Sequence, residues 1–564
     1  KDGKPRREID AVFSPDSKTI AFLSDAAKEG QVQIWLAPAS GGAPKQLTHV
    51  QGQIDHLLWS ADGRSIAFLF VEGSTQEPGA LVAYKPDSGV VEEVVEEQRI
   101  AIVDVANGGL RMVSPADLYV YDYDWSADGK SFAAEAAVGS GTNNYWLAEL
   151  YIVPADAGPA RSIWKPPLQI ACPRFSPDGK SVAVIHGIMS DEGSTGGDVW
   201  VVPVSGGAPH NVTPGMRASA SALFWRPSGE ILFEEFVDGN TGFANVPPDG
   251  GKIRPLWSGA ETGHEFGISR LETSVVIRDS FEKPPEVFAG PIGAWKAVTS
   301  VNANVRRWWG EGKALHWKSD DATVQGWLLY PMNFDPSRRY PMVVSVHGGP
   351  SSAVTAGWPQ RWSATLPSQG YFVFMPNPRG SYGFGESFTQ GNVKDFGGGD
   401  LRDVVSGVDE VRKGAPVDGN RVGVMGWSYG GYMAMWAVTQ TNRFAAAVAG
   451  AGIASWQSYY GQNRIDTWML PFFGASVYAD PKVYAKSSPM EFIRNVKTPT
   501  LVLHGDRDSE VPTPQGYEFW HALKAQAIPT QLVIYTDEGH DIRQPGHRLD
   551  ILKRTVGWFD KYLK

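Results

Sequence analysis

The chain is predicted to be an all-β propeller over residues 1–307 followed by a doubly wound α/β domain over residues 308–564. Two observations carry this. An aromatic-Ser-x-Asp-Gly type of turn recurs through the first half, and short apolar strands alternate with helical stretches through the second. Length agrees, because 564 residues exceed one ordinary domain. Composition excludes other classes. With 42% hydrophobic and 20% charged residues the chain is neither disordered nor fibrous, and a formal charge of −10 disfavours nucleic acid and anionic membrane as partners. Its single cysteine, Cys172, rules out an internal disulfide framework and a cysteine-based metal cluster.

In the first half the repeat reads Phe13-Ser14-Pro15-Asp16, Trp59-Ser60-Ala61-Asp62-Gly63, Trp125-Ser126-Ala127-Asp128-Gly129, Phe175-Ser176-Pro177-Asp178-Gly179 and, more loosely, Trp225-Arg226-Pro227-Ser228-Gly229. Each turn precedes a strand rich in β-branched and aromatic residues. Half-repeats lie between them, as in Ile34-Trp35-Leu36-Ala37-Pro38 and Val199-Trp200-Val201-Val202-Pro203, each running into a Ser-Gly-Gly turn. Two hairpins per unit of about 50 residues make four strands, the unit of a propeller blade. Five blades are clear, and a degenerate sixth ends near Trp295–Thr299. A ring of seven would place a further blade ahead of Lys1, where the absence of an initiating Met suggests trimming.

In the second half an antiparallel opening, His316–Asp320 and Gln325–Tyr330, leads into runs that read as buried parallel strands: Met342–Val346, Tyr371–Met375, Val422–Met425, Ala446–Ala449, Thr500–Leu503 and Gln531–Tyr535. Helical stretches between them include Leu401–Lys413, Gly431–Thr441 and Pro514–Ala525. In such sheets chemistry sits at the carboxyl ends of the strands.

One of these strands ends in Gly426-Trp427-Ser428-Tyr429-Gly430-Gly431 and runs straight into a helix, the setting a G-x-S-x-G nucleophile elbow requires. Ser428 is therefore the expected nucleophile of an α/β-hydrolase. It needs a base oriented by a carboxylate, in chain order Ser, acid, His. Asp508 is the favoured acid, with Asp506 the alternative in the same loop. His540, in a loop after a strand, is the favoured base. His521 lies inside a helical stretch, and His547 reads as a solvated loop residue. The oxyanion calls for backbone donors. Tyr429 N–H follows the nucleophile, and Gly349, with Gly348 as rival, follows Met342–Val346.

With these residues assembled, the chain resembles the prolyl oligopeptidase family of serine peptidases, in particular its acylaminoacyl-peptidase and dipeptidyl-peptidase branches. The motifs are Gly426-Trp427-Ser428-Tyr429-Gly430-Gly431-Tyr432, Asn377-Pro378-Arg379-Gly380-Ser381 with Gly383 and Gly385, and Asp537-Glu538-Gly539-His540. The resemblance implies Ser428, Asp508 and His540 as triad, and a propeller that restricts the site to short peptides. It also implies that Ile453, Trp456 and Tyr459 line the pocket for the residue before the scissile bond; core packing is the competing reading of these three.

Trp427 points to the dipeptidyl branch, and His347-Gly348-Gly349-Pro350 to the acylaminoacyl branch. The dipeptidyl branch implies an acidic anchor for a free amine. Glu234-Glu235 is considered for it, but neighbours on a strand face opposite ways, so a blade-edge charge pair is preferred. Glu92-Glu93 and Glu96-Glu97 read as solvated surface.

The expected activity is thus a serine exopeptidase acting on short peptides through an acyl-enzyme. A carboxylesterase with the same triad is the alternative, and a non-catalytic interaction protein a third class disfavoured by the complete triad. No cofactor and no metal is implied, nor any nucleic-acid partner or membrane span; a homo-oligomer and the compartment, cytoplasmic or periplasmic/secreted, stay open.

Overall fold

The structure, a computed structural model, describes residues 7–74, 79–85, 89–90, 96–139, 141–269 and 271–564. Six four-stranded antiparallel sheets occupy the first half, each built from consecutive strands. Their first strands are Glu8–Phe13, Gly52–Trp59, Leu118–Trp125, Gln169–Phe175, Ser219–Trp225 and Thr262–Ile268. The sixth unit, read from the sequence as degenerate, is a complete four-stranded blade ending at Lys296–Ala297.

The repeat has a physical reason. In the first blade Ser14 Oγ donates to Asp16 Oδ1 (2.7 Å), which also accepts from Lys18 N (3.1 Å), while Thr19 N donates back to Ser14 Oγ (2.9 Å). The same cage forms at Ser60/Asp62, Ser126/Asp128 and Ser176/Asp178. A side-chain carboxylate thus satisfies the turn's backbone donors before the chain enters the next strand. The preceding aromatic links blades: Trp59 Nε1 donates to Val12 O (3.2 Å) and Trp225 Nε1 to Arg174 O (3.0 Å), each on the first strand of the previous blade.

The second half is one eight-stranded sheet. Its order is Gly312–Ser319, Ala322–Leu329, Phe372–Asn377, Tyr340–Val346, Val417–Trp427, Ala446–Gly450, Thr500–Gly505 and Thr530–Tyr535. The second strand pairs antiparallel with both of its neighbours, and the pairs from the third strand onward are parallel. Helices Arg361–Ser368 and Pro545–Leu563 were not anticipated. The second opens on Pro545-Gly546, which reads as loop in sequence although Pro suits the first helical position. His547 consequently lies in a helix, not a solvated loop, with Nδ1 2.7 Å from Glu538 Oε1. Among the described residues no helix is long and apolar enough to cross a membrane.

Candidate active site

Ser428 stands between strand Val417–Trp427 and helix Tyr429–Gln440 with φ 61° and ψ −125°. That backbone is unfavourable for any residue with a Cβ and persists only where the surroundings enforce it. Here Ser428 N donates to Gly450 O (3.0 Å), and Ser428 O accepts from Tyr432 N (2.9 Å). The glycines are obligatory for packing. A Cβ on Gly426 would lie 2.4 Å from the Gly430 carbonyl carbon, one on Gly430 2.2 Å from Val346 O, and one on Gly431 2.2 Å from Gly450 O. The helix can cross the sheet this closely only without side chains at those positions.

His540 Nδ1 lies 2.8 Å from Asp508 Oδ2, and both residues are buried. The other carboxylate oxygen, Oδ1, accepts from Glu510 N (3.0 Å) and Val511 N (2.8 Å). With Nδ1–H donated to Asp508, Nε2 carries the lone pair. Asp506 is exposed and plays no such part. His521 is also exposed, in helix Pro514–Ala525, its ring against Trp520 (4.7 Å). Trp427 Nε1 donates to His540 O (3.0 Å), so the elbow itself holds the histidine loop. His504, fully buried, is nearby but has Nε2 2.6 Å from Val511 O; burial pushes its pKa down, against the pull of Asp508, which makes it a neutral strut.

The loop of the proposed second oxyanion donor also touches Ser428. A Cβ on Gly348 would sit 3.3 Å from Ser428 Cβ, and Gly349 has φ +116°. His347 Nε2 lies 2.9 Å from Ser381 Oγ, which in turn donates to Pro378 O (2.6 Å), so the motif around Pro378 braces this loop.

Two propeller segments, unforeseen from the sequence, complete the site. In the first, residues 79–85, Ala80 O accepts from Ser509 Oγ (3.2 Å), Leu81 O from Asp541 N (3.0 Å), and Tyr84 N donates to Arg507 O (3.1 Å). In the second, Ser190 Oγ accepts from Ser351 N (3.0 Å) and donates to Asp191 Oδ2 (2.5 Å). Asp191 is hydrogen-bonded to Glu510, whose Oε1 is 3.8 Å from His540 Nε2. Asp191, Glu192 and Glu510 line one cavity of about 270 Å³ together with Tyr119 and Trp146. Burial raises Glu510, opposed by His540 and reinforced by Asp191 and Asp508; burial raises Glu192 to about 7. Sequence reading missed these acids because they meet only across the two folds. The one available signal was Glu510, two residues beyond Asp508.

Other expectations fare differently. Ile453, Trp456 and Tyr459 are almost fully buried in an aromatic cluster with Phe396, Tyr432 and Phe473, and none lines that cavity. Glu234-Glu235 lies on strand Ile231–Val237, interior to the fifth blade, so it is not a blade-edge pair. Glu235 is buried, which pushes it up to about 7. Glu96 is exposed and Glu97 partly buried, while Glu92-Glu93 falls outside the described residues.

Burial disfavours the charged imidazole of His540, but Asp508 and Glu510 outweigh it and hold its pKa above the ordinary value of about 6.5. A base must be neutral to act, so activity falls as pH drops through that raised value. The acid limb of kcat/KM is expected above pH about 6.5. Glu510→Gln removes one carboxylate facing Nε2 and shifts the limb to lower pH, which a pH profile of kcat/KM measures.

Residues 358–564 match the prolyl oligopeptidase family. Over 99% of its length the chain is 27% identical to dipeptidyl-peptidase 5 of Porphyromonas gingivalis, covering 94% of that protein, and 28% identical to the uncharacterized peptidase YuxL of Bacillus subtilis, covering 90%. Among solved structures, the acylaminoacyl peptidase of Pyrococcus horikoshii superposes with a TM-score of 0.80 at 22% identity, over 99% of this chain and 89% of that one. The two-part architecture is shared with that structure, and the family match to the prolyl oligopeptidase family rests on residues 358–564 of the α/β half.

Proposed function

We propose that the protein is a dipeptidyl-type exopeptidase that acts on short peptides with a free amino end. The observation that carries this reading is the set of carboxyls, Asp191, Glu192 and Glu510, that lines one cavity, with the buried Glu510 placing its Oε1 3.8 Å from His540 Nε2. A protonated amine brought there exchanges water for carboxyl acceptors already in place. An acylated amine carries no charge to match them. The relatedness to dipeptidyl-peptidase 5 supports the same reading.

In this proposal Ser428 Oγ attacks the carbonyl of the second residue while His540 Nε2 takes its proton. Asp508 holds the imidazole in the tautomer that allows this. Tyr429 N–H and Gly349 N–H meet the oxyanion. His540 then returns the proton to the leaving amine, and water attacks the acyl-enzyme by the same route. The carboxylesterase alternative is supported neither by the acidic cavity nor by the relatives named above.

The test is a paired assay: free-amine dipeptidyl nitroanilides of Ala, Phe and Leu against the N-acetylated amino-acid nitroanilides, with Ser428→Ala as control. Turnover of the free dipeptides is expected. Asp191→Asn is expected to raise KM for them about 10- to 100-fold, the worth of one hydrogen bond to a charged group. Turnover of the acetylated set alone would assign the acylaminoacyl activity instead, and cleavage of simple esters alone would restore the esterase.

A further inference from the structure

The elbow is tied to a second buried carboxylate that takes no part in the triad. Asp400 is the second residue of helix Gly399–Gly414 and is wholly inaccessible to solvent. One of its oxygens, Oδ1, accepts from its neighbour Leu401 N (2.8 Å). The other, Oδ2, accepts from Gly397 N (3.2 Å) and from the hydroxyl of Tyr429 (2.5 Å). A like charge acts on it from another carboxylate, that of Asp403, whose own partner is Arg379. Burial accordingly pushes Asp400 up to about 7, opposed by Tyr429 and the two backbone donors.

An uncompensated carboxyl in a protein interior is costly. Two features offset it here. Its position in the first helical turn places it at the positive end of the helix dipole, and its three hydrogen bonds leave little acceptor capacity idle. Of the three donors only the Tyr429 hydroxyl comes from a distant part of the chain. A phenylalanine and a leucine would fill the same volume without the penalty, so the polar pair needs a reason of its own.

That reason is at the other end of Tyr429. Tyr429 is the first residue of the helix that leaves Ser428, and a first-turn N–H has no acceptor within its helix. Its direction is set by the torsions of a single residue, Ser428, in a strained conformation. The side chain of Tyr429 runs from that backbone into the aromatic cluster, against Phe396 (5.0 Å) and Tyr432 (5.1 Å). Packing fixes where the ring lies, but ring contacts vary softly with rotation and sliding. A short hydrogen bond at the ring's far end does not.

We propose that Asp400 is a positioning residue for oxyanion stabilisation: through the Tyr429 hydroxyl it sets the direction of the Tyr429 backbone N–H at the nucleophile. The inference rests on the reading of Ser428 as nucleophile given above. It predicts a defect confined to the transition state. Ground-state contacts of the substrate do not run through Asp400, whereas an oxyanion donor turned away from its target acts only as charge develops.

The experiment compares Tyr429→Phe, Asp400→Asn and the double variant with the unaltered protein, on a free-amine dipeptidyl nitroanilide, with a dipeptidyl boronic acid as transition-state analogue and the free dipeptide product as ground-state ligand. Tyr429→Phe deletes one oxygen and keeps the ring, so it reports even where Asp400→Asn fails to fold. The expected result is a 10- to 100-fold fall in kcat with KM changed less than two-fold, an equal weakening of the boronate, and unchanged product affinity. The double variant is expected to match Tyr429→Phe, since both break one link. Unchanged kcat, or product and boronate weakened alike, would overturn the proposal and leave the pair a fold-stabilising contact. Turnover retained in Ser428→Ala would instead overturn the assignment of the nucleophile itself.

Discussion

Asp508→Asn is expected to lower kcat about 10⁴-fold while leaving the fold intact. The size follows from which atoms Asp508 engages. Its Oδ1 already accepts from the backbone N–H groups of Glu510 and Val511, so an amide placed there must turn its oxygen toward those two donors. The NH₂ group then faces His540 Nδ1, where the carboxylate had accepted a hydrogen bond from Nδ1–H. To receive that hydrogen bond Nδ1 must become the acceptor, and the ring proton moves to Nε2. An Nε2 that bears the proton cannot take one from Ser428. His504 offers no rescue, because Val511 O engages its Nε2. The measurement is kcat on the dipeptidyl nitroanilide together with Tm. A loss below tenfold would mean that another group orients His540.

Gly539→Ala is expected to cost about 100-fold in kcat/KM, although the change is one methyl group outside the triad. A Cβ at this position would lie 2.4 Å from Ala83 N and from the Val82 carbonyl carbon. Backbone cannot be pushed aside as a flexible side chain can, so either the 79–85 segment or the histidine loop must shift. His540 is the next residue, and a displacement near 1 Å at a catalytic group is worth about two orders of magnitude. Gly546→Ala is the control: nothing lies within 4 Å of its added Cβ, and it sits at the start of helix Pro545–Leu563. Equal activity of the two variants would show that the propeller segment does not hold the histidine loop in place.

What the sequence made legible is local. The Ser-x-Asp turns announce blades because cage donors and acceptor lie within five residues of one another. The elbow is equally compact: strand, glycines, serine and helix follow without interruption, and every close approach that demands a glycine is made by this motif or the strands beside it. The Asp508–His540 pair could be read by chain order, though the two residues are far apart in sequence. What sequence reading could not reach is contact between the two folds. Ser190, Asp191 and residues 79–85 carry no signature of their own, and their meaning arises from what they meet. Trp456 and Tyr459, read as a pocket wall from their position in a motif, are buried in an aromatic cluster that includes Tyr429, the residue after Ser428.

The turn cages also bear on how the chain reaches this structure. Each closes a loop of only a few residues, so its entropic cost is small and it can form before any blade meets its neighbour. The indole bonds from Trp59 to Val12 and from Trp225 to Arg174 span 47 and 51 residues and can reward only hairpins that already exist. Blade assembly is therefore ordered, local closure first and lateral docking second. The carboxyl cavity comes last of all, since it needs blade residues and the α/β sheet together.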